Sequence, residues 1–220
     1  MEPSVEKLPS IERRTTVLIW LISIHTSLLI ASNAGGAKMI AVPGGLAASA
    51  TVFSYAITFP LCDVINELFG KRAARLAVNV GLVGLVLSVA FFQLSIWAPA
   101  ADFWKGQEAY VTTLGLGPRI LLGGWLSYII GNHVDVAVFH WIRRRTGDRA
   151  FWLRKNASTA VSQAVDTVIF MTVAFGGVFP IADAIPGQYL LKLAVAVVCT
   201  PLSYLIIRAA RRFMTEGKSN

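Results

Sequence analysis

The chain has 220 residues, is 55% hydrophobic and is only 15% charged, well below the roughly 25% charge of a soluble domain. Its net charge of +8 invites a nucleic-acid partner, but the Lys and Arg residues gather at the ends of apolar runs and no groove-reading motif accompanies them, which excludes that class. Apolar runs of about 18 residues or more recur, enough to cross roughly 30 Å of hydrocarbon as helix, so the expected class is an all-α membrane protein embedded in a lipid bilayer.

Six transmembrane helices are predicted, over residues 15–34, 46–69, 73–97, 118–142, 156–179 and 188–210. Glycine and proline mark the breaks, as in Gly35-Gly36, Pro43-Gly44-Gly45 and Pro99, because both residues interrupt regular backbone. The first span carries His25 near its middle, readable as hydrogen-bonded structure or as a proton relay. Asn33 at its far end reads as a helix cap or as a site residue. Arg13-Arg14 before this span mimics a signal peptide, but removing the span would break the charge alternation described below.

The second span ends in Phe59-Pro60-Leu61-Cys62-Asp63-Val64-Ile65-Asn66-Glu67-Leu68-Phe69-Gly70-Lys71-Arg72. Asp63, Asn66 and Glu67 stand at i, i+3 and i+4, on one helix face. An ionisable residue inside a membrane is costly and normally faces a polar interior. The third span has Asn79, Gly81, Gly84 and Ser88 at helical spacings, which predicts close helix packing. The connection over 98–117 contains Trp104 and Tyr110 and suits a short interfacial helix.

The fourth span carries Asn132, His133 and Asp135; the fifth carries Gln163, Asp166 and Thr167; the sixth carries Lys192. Asp63 and Asp135 echo each other: each is followed by Val, by an aromatic at six positions and by a basic pair at eight and nine. Cys62 and Cys199 read as small buried apolar residues, and neither a metal nor a cofactor is expected.

Orientation follows from the basic residues. Sixteen of the 20 Lys and Arg lie in the amino-terminal segment, after the second span, after the fourth and in the carboxyl-terminal segment, leaving Lys38, Lys105, Arg119 and Lys192. The positive-inside rule then makes both termini cytoplasmic. The expected domains are a cytoplasmic tail over 1–14, a transporter domain over 15–210 and a second tail over 211–220.

Depths follow from the helical rise. Asp63 and Asp135 each lie ~12 Å from the cytoplasmic edge, Gln163 ~12 Å, and Asp166 and Asn132 ~16 Å. These five residues are therefore expected in one polar layer, and membrane solute sites commonly lie at such depths. Structural readings stand beside the functional one. Glu67 reads as an interfacial ion-pair partner of Lys71 or as a site residue. Asp135 reads as a holder of the basic cluster, and Asp63 and Asp166 as ion-pair partners within the bundle. Lys192 reads either as snorkelling to the outer interface or as a counter-charge to the acidic layer.

Asp63 within Phe59-Pro-x-x-Asp and Phe69-Gly70, Gly131-x-x-x-Asp135-Val, Ala157-Ser158-Thr159 with Asp166-Thr167, Ser32-Asn33, and Lys192 with Pro201-x-x-Tyr204 together resemble the queuosine precursor transporter family, grouped among vitamin uptake transporters. The resemblance covers residues 15–210. It implies import of 7-cyano-7-deazaguanine or 7-aminomethyl-7-deazaguanine across the inner membrane of a bacterium. It also implies a six-span plan related to the substrate-binding subunits of energy-coupling-factor transporters, acting without the ATPase module.

The residues suit such a ligand. A carboxylate accepts the adjacent N1–H and amine donors of a guanine-like base as a pair, with Asp63 and Asp166 the first choices, then Asp135 and Gln163. Asn132, Gln163, Thr167 and Ser158 are candidate donors to its carbonyl and ring nitrogen. Phe59, Tyr55, Trp125 and Phe170 are candidate stacking partners. Asp63, Asp166 and His25 are candidates for proton coupling. Two other classes compete. One is a binding subunit that needs a separate energising partner. The other is an intramembrane metal enzyme built on His133, Asp135 and His140, for which the sequence has no His-Glu-x-x-His pattern. The chain is expected not to be an enzyme. Alternating access by the second, fourth and fifth spans is the expected mechanism, and small packing residues suit a homodimer.

Overall fold

Residues 13–146 and 151–215 are described by a computed structural model, in which the apolar runs become helices. In chain order they form α1 (Arg13–Gly35), β1 (Met39–Val42), β2 (Leu46–Ser49), α2 (Thr51–Phe69), α3 (Lys71–Trp97), α4 (Gln107–Leu114), α5 (Gly117–Thr146), α6 (Phe151–Phe175) and α7 (Ala184–Thr215). Among the described residues, α1, α2, α3, α7 and the 157–175 part of α6 are long and apolar enough to cross a membrane. The fourth predicted span, α5, has the length, at 30 residues. It does not reach the same apolarity because Asn132, His133, Asp135, His140 and four arginines share it.

The second predicted span is shorter than expected. Residues 46–49 are not helix: Val42 pairs with Leu46 and Met39 with Ser49 in an antiparallel hairpin. The turn holds Pro43, then Gly44 and Gly45 at φ +88° and +77°, a region that glycine enters without a Cβ penalty. Leu46-Ala47-Ala48 is too short an apolar run for its period to tell strand from helix. The sixth predicted span begins earlier than expected, at Ala184, and its start packs onto the hairpin. A Cβ on Gly187 would collide with the carbonyl oxygen of Ala47 and lie 2.9 Å from its carbon. Next to it, Gln188 is fully buried. Its Oε1 accepts from the Ser49 N–H at 2.9 Å, and its Nε2 donates to Thr51 Oγ at 3.2 Å.

Two apolar cores result. One joins Ile120 of α5, Phe170, Met171, Ala174 and Phe175 of α6 and Ala184 of α7. The other joins Leu21, Leu61, Val64, Ile65 and Ala77, with Ile206 and Ile207 of α7 packed against it. Between α5 and α6 the packing uses small residues at every fourth position. A Cβ on Gly123 would meet Phe170 O and Ala174 N at 3.3 Å, and one on Gly131 would meet Asp166 Cβ at 3.4 Å. Ser127, midway between these glycines, is buried. Arg119 closes the end of this pair by donating to the carbonyls of Val173 and Gly176 at 3.3 and 2.7 Å. Gly81 and Gly84 of α3 lie against Leu29, His25 and Thr26 of α1, the close approach expected of small residues in membrane helices.

Candidate functional site

A cavity of about 720 Å³ lies between α2, α6 and α7, within the range of small-molecule sites. The α2 wall presents Ala56, Phe59, Pro60, Asp63, Asn66 and Glu67. The i, i+3, i+4 face read from the sequence is thus one wall of the cavity. Pro60 has no N–H to donate to the Ala56 carbonyl four residues earlier, so α2 lacks one rung of its ladder where it borders the cavity. From α6 come Thr159 and Gln163, and from α7 Lys192, Thr200, Ser203, Tyr204 and Arg211.

Two ion pairs border this space, and they differ in character. Lys192 Nζ lies 2.6 Å from Asp166 Oδ2, with side chains only 7% and 9% exposed. Lys192 also donates to Thr167 Oγ1 at 3.3 Å, and Thr167 in turn donates to the Gln163 carbonyl at 2.8 Å. Its ammonium is 6.0 Å from the ring centres of both Tyr55 and Phe170, whose planes are 4° apart, a geometry in which both rings attract the cation. Removing one partner of such a buried pair strands the other charge, at about 3–5 kcal/mol. The second pair is Arg211 with Glu67, also at 2.6 Å but with side chains 58% and 59% exposed; exposed pairs of this kind contribute only about 0–1 kcal/mol. Glu67 is therefore an ion-pair partner, but of Arg211 on α7 and not of the neighbouring Lys71.

The remaining candidates are spread out. Asp135 lies between α5 and α6 and accepts from Ser162 Oγ at 3.3 Å; it and Asp166 are not among the residues lining the cavity. Asn33 is buried and donates to the Gly117 carbonyl at 3.0 Å, tying α1 to the start of α5. The Asn132 side chain lies outside the described residues. Phe59 lines the cavity and meets Tyr55 edge-on at 5.2 Å, whereas Trp125 is 52% exposed on α5 and does not line it. His25 is buried between α1 and α3, beside Gly81. Among the described residues, no three His, Cys, Asp or Glu side chains converge on one point as metal ligands would; His133 Nδ1 is bonded to its own helix at the Ile129 carbonyl, 2.8 Å away.

The profile of a family described as "Putative vitamin uptake transporter" matches residues 49–206, from the end of the hairpin through most of α7. The chain is 38% identical over 165 residues to the "Probable queuosine precursor transporter" of Bacillus subtilis, covering 73% of this chain and 72% of that protein. The chain belongs to the vitamin uptake transporter family. Another relative, the "Queuosine precursor transporter" of Escherichia coli, is 25% identical over 195 residues, or 85% of this chain and 80% of that protein. The "Probable queuosine precursor transporter" of Haemophilus influenzae is 22% identical over 93% of this chain and 94% of its own length. No solved structure matches the chain significantly. This family member is a multi-pass protein of the bacterial inner membrane.

The family match contains Asp63, Glu67, Gln163, Lys192 and Tyr204 but ends before Arg211. Arg211, Thr200 and Ser203 were not legible as cavity residues. Arg211 reads as one more basic anchor at a helix end, and small hydroxyl residues in an apolar helix carry no distinctive pattern.

Proposed function

We propose that the chain imports queuosine precursors, 7-cyano-7-deazaguanine or 7-aminomethyl-7-deazaguanine, by alternating access through six transmembrane helices with both termini cytoplasmic. In this reading residues 15–210 form the transporter domain, and α5, the fourth span in chain order, completes the set of six, about 45 Å long at helical rise and closed by Arg143, Arg144 and Arg145 in its last turn. The chain performs no catalysis and works without an ATPase module, on a plan resembling the substrate-binding subunits of energy-coupling-factor transporters. The observation that carries the reading is the cavity, bounded by a carboxylate on α2, an amide on α6 and an aromatic ring: Asp63, Gln163 and Phe59.

These groups match a guanine-like base. Asp63 accepts the N1–H and exocyclic amine as a pair, Gln163 serves the carbonyl or ring nitrogen, and Phe59 packs on the ring. Asp166 is held by Lys192 at 2.6 Å and does not line the cavity, so its part is to fix the ammonium at the cavity wall, and the base-accepting role goes to Asp63, which does line it.

The test is uptake of radiolabelled 7-cyano-7-deazaguanine into cells that lack their own precursor synthesis. Wild-type protein is expected to restore uptake. Asp63→Asn, which exchanges one acceptor oxygen for a donor, is expected to lower it by about 10- to 100-fold, the equivalent of one or two charge-assisted hydrogen bonds. Undiminished uptake by Asp63→Asn at wild-type expression would remove Asp63 from the site.

A further inference from the structure

We propose that the Glu67–Arg211 pair sets which charge form of the substrate the cavity accepts, Glu67 passing from Arg211 to the ammonium of a 7-aminomethyl base. The inference rests on the reading of the cavity as a deazaguanine site. Both α2 carboxylates that line the cavity, Asp63 and Glu67, are one helical turn apart, which separates their Cβ atoms by about 5–6 Å. A 7-deazaguanine has two recognition edges that meet at its carbonyl oxygen: the N1–H and amine donors on one side, the 7-substituent on the other. With the first edge on Asp63, the substituent reaches toward the next turn, where Glu67 and Arg211 stand. A nitrile is a neutral acceptor and suits the guanidinium; an ammonium is a cation with three donors and suits the carboxylate.

The condition of the pair is what makes exchange feasible. Glu67 Oε1 accepts from Arg211 Nη2 at 2.6 Å, yet both side chains are more than half exposed. Such a pair is held weakly, and a freed guanidinium regains water at little cost. The Lys192–Asp166 pair cannot be exchanged in this way, since its side chains are over nine-tenths buried and parting them would leave a charge without compensation. Of the two pairs beside the cavity, the labile one is the one adjacent to Asp63.

The experiment measures uptake of both labelled compounds, the aminomethyl and the cyano form, by wild-type protein, Glu67→Gln and Arg211→Gln. Glu67→Gln is expected to lower the aminomethyl-to-cyano uptake ratio by about tenfold, the loss of one charge-assisted contact. Arg211→Gln is expected to raise that ratio, because the carboxylate loses its competing cation. A pair that only holds α2 to α7 would change both rates together; a ratio equal to wild type in both variants would therefore overturn the inference while leaving the transport reading intact. Wild-type protein that carries neither compound would overturn the transport reading itself, and this inference with it.

Discussion

Replacing Lys192 with methionine is expected to destabilise the protein by about 3–5 kcal/mol, because it leaves the Asp166 carboxylate buried without its cation. The pair is 2.6 Å apart and almost wholly enclosed, so water cannot take the place of the ammonium at little cost. The informative comparison is the double variant Lys192→Met with Asp166→Asn. With both charges gone, the uncompensated charge disappears, and most of the lost stability should return, as is typical when a buried pair is replaced by neutral groups. Unfolding of detergent-purified protein, followed by thermal scanning across the four members of the cycle, gives the coupling directly. A double variant as unstable as the sum of its parts would show that the two side chains act independently. Uptake by a refolded-competent double variant then separates roles: transport retained assigns the pair to the bundle, transport lost assigns it to the substrate.

Gly187→Ala is expected to be the most damaging single-carbon addition among the described glycines. The new methyl would meet the Ala47 carbonyl group, whose carbon lies 2.9 Å away. This neighbour is hydrogen-bonded backbone with no rotamer to move into. Relief requires α7 to withdraw from the hairpin, which also stretches the Gln188 bonds to Ser49 and Thr51. Overpacking in a close-packed interior costs about 1–3 kcal/mol, and the loss of two buried hydrogen bonds adds about 1 kcal/mol each. Thermal unfolding of the purified variant measures the sum. Gly124→Ala, where nothing lies within 4 Å of the added carbon, is the matched control and should unfold with wild type.

How far the sequence could be read depended on the kind of information each feature needs. Asp63, Asn66 and Glu67 were legible as one face because i, i+3 and i+4 spacing is a local property of a helix, and that face is a wall of the cavity. Helix existence was legible from the apolar runs for the same reason. The single polar layer was less informative. Helical rise gives depth but not the direction a side chain faces, so Asp63 and Asp135, both ~12 Å deep by that rise, were grouped together. In the folded chain Asp135 turns to Ser162 on α6 while Asp63 borders the cavity.

The partners of the charged residues were not legible where they come from distant chain positions. Glu67 read either as a partner of Lys71, four residues away, or as a site residue, and its ion-pair partner is Arg211 from the other end of the chain. For Lys192 the sequence left snorkelling and counter-charge open, and contact with Asp166 decides for the second. The hairpin was missed because Leu46-Ala47-Ala48-Ser49 continues the apolar run that follows it, and only the Gly187 approach from α7 shows why strand geometry is needed there.

Lys192 and Asp166 carry equal and opposite charge within one hydrogen-bond length, and this has a consequence for energetics under voltage. A lone charge carried across the full membrane field exchanges about 2.3 kcal/mol with it per 100 mV, whereas a dipole this short that moves as a unit exchanges almost none. The transmembrane potential therefore does no appreciable work on this part of α6 and α7 as the helices shift together, and any electrical drive on transport must act through the charge of the cargo or of other groups.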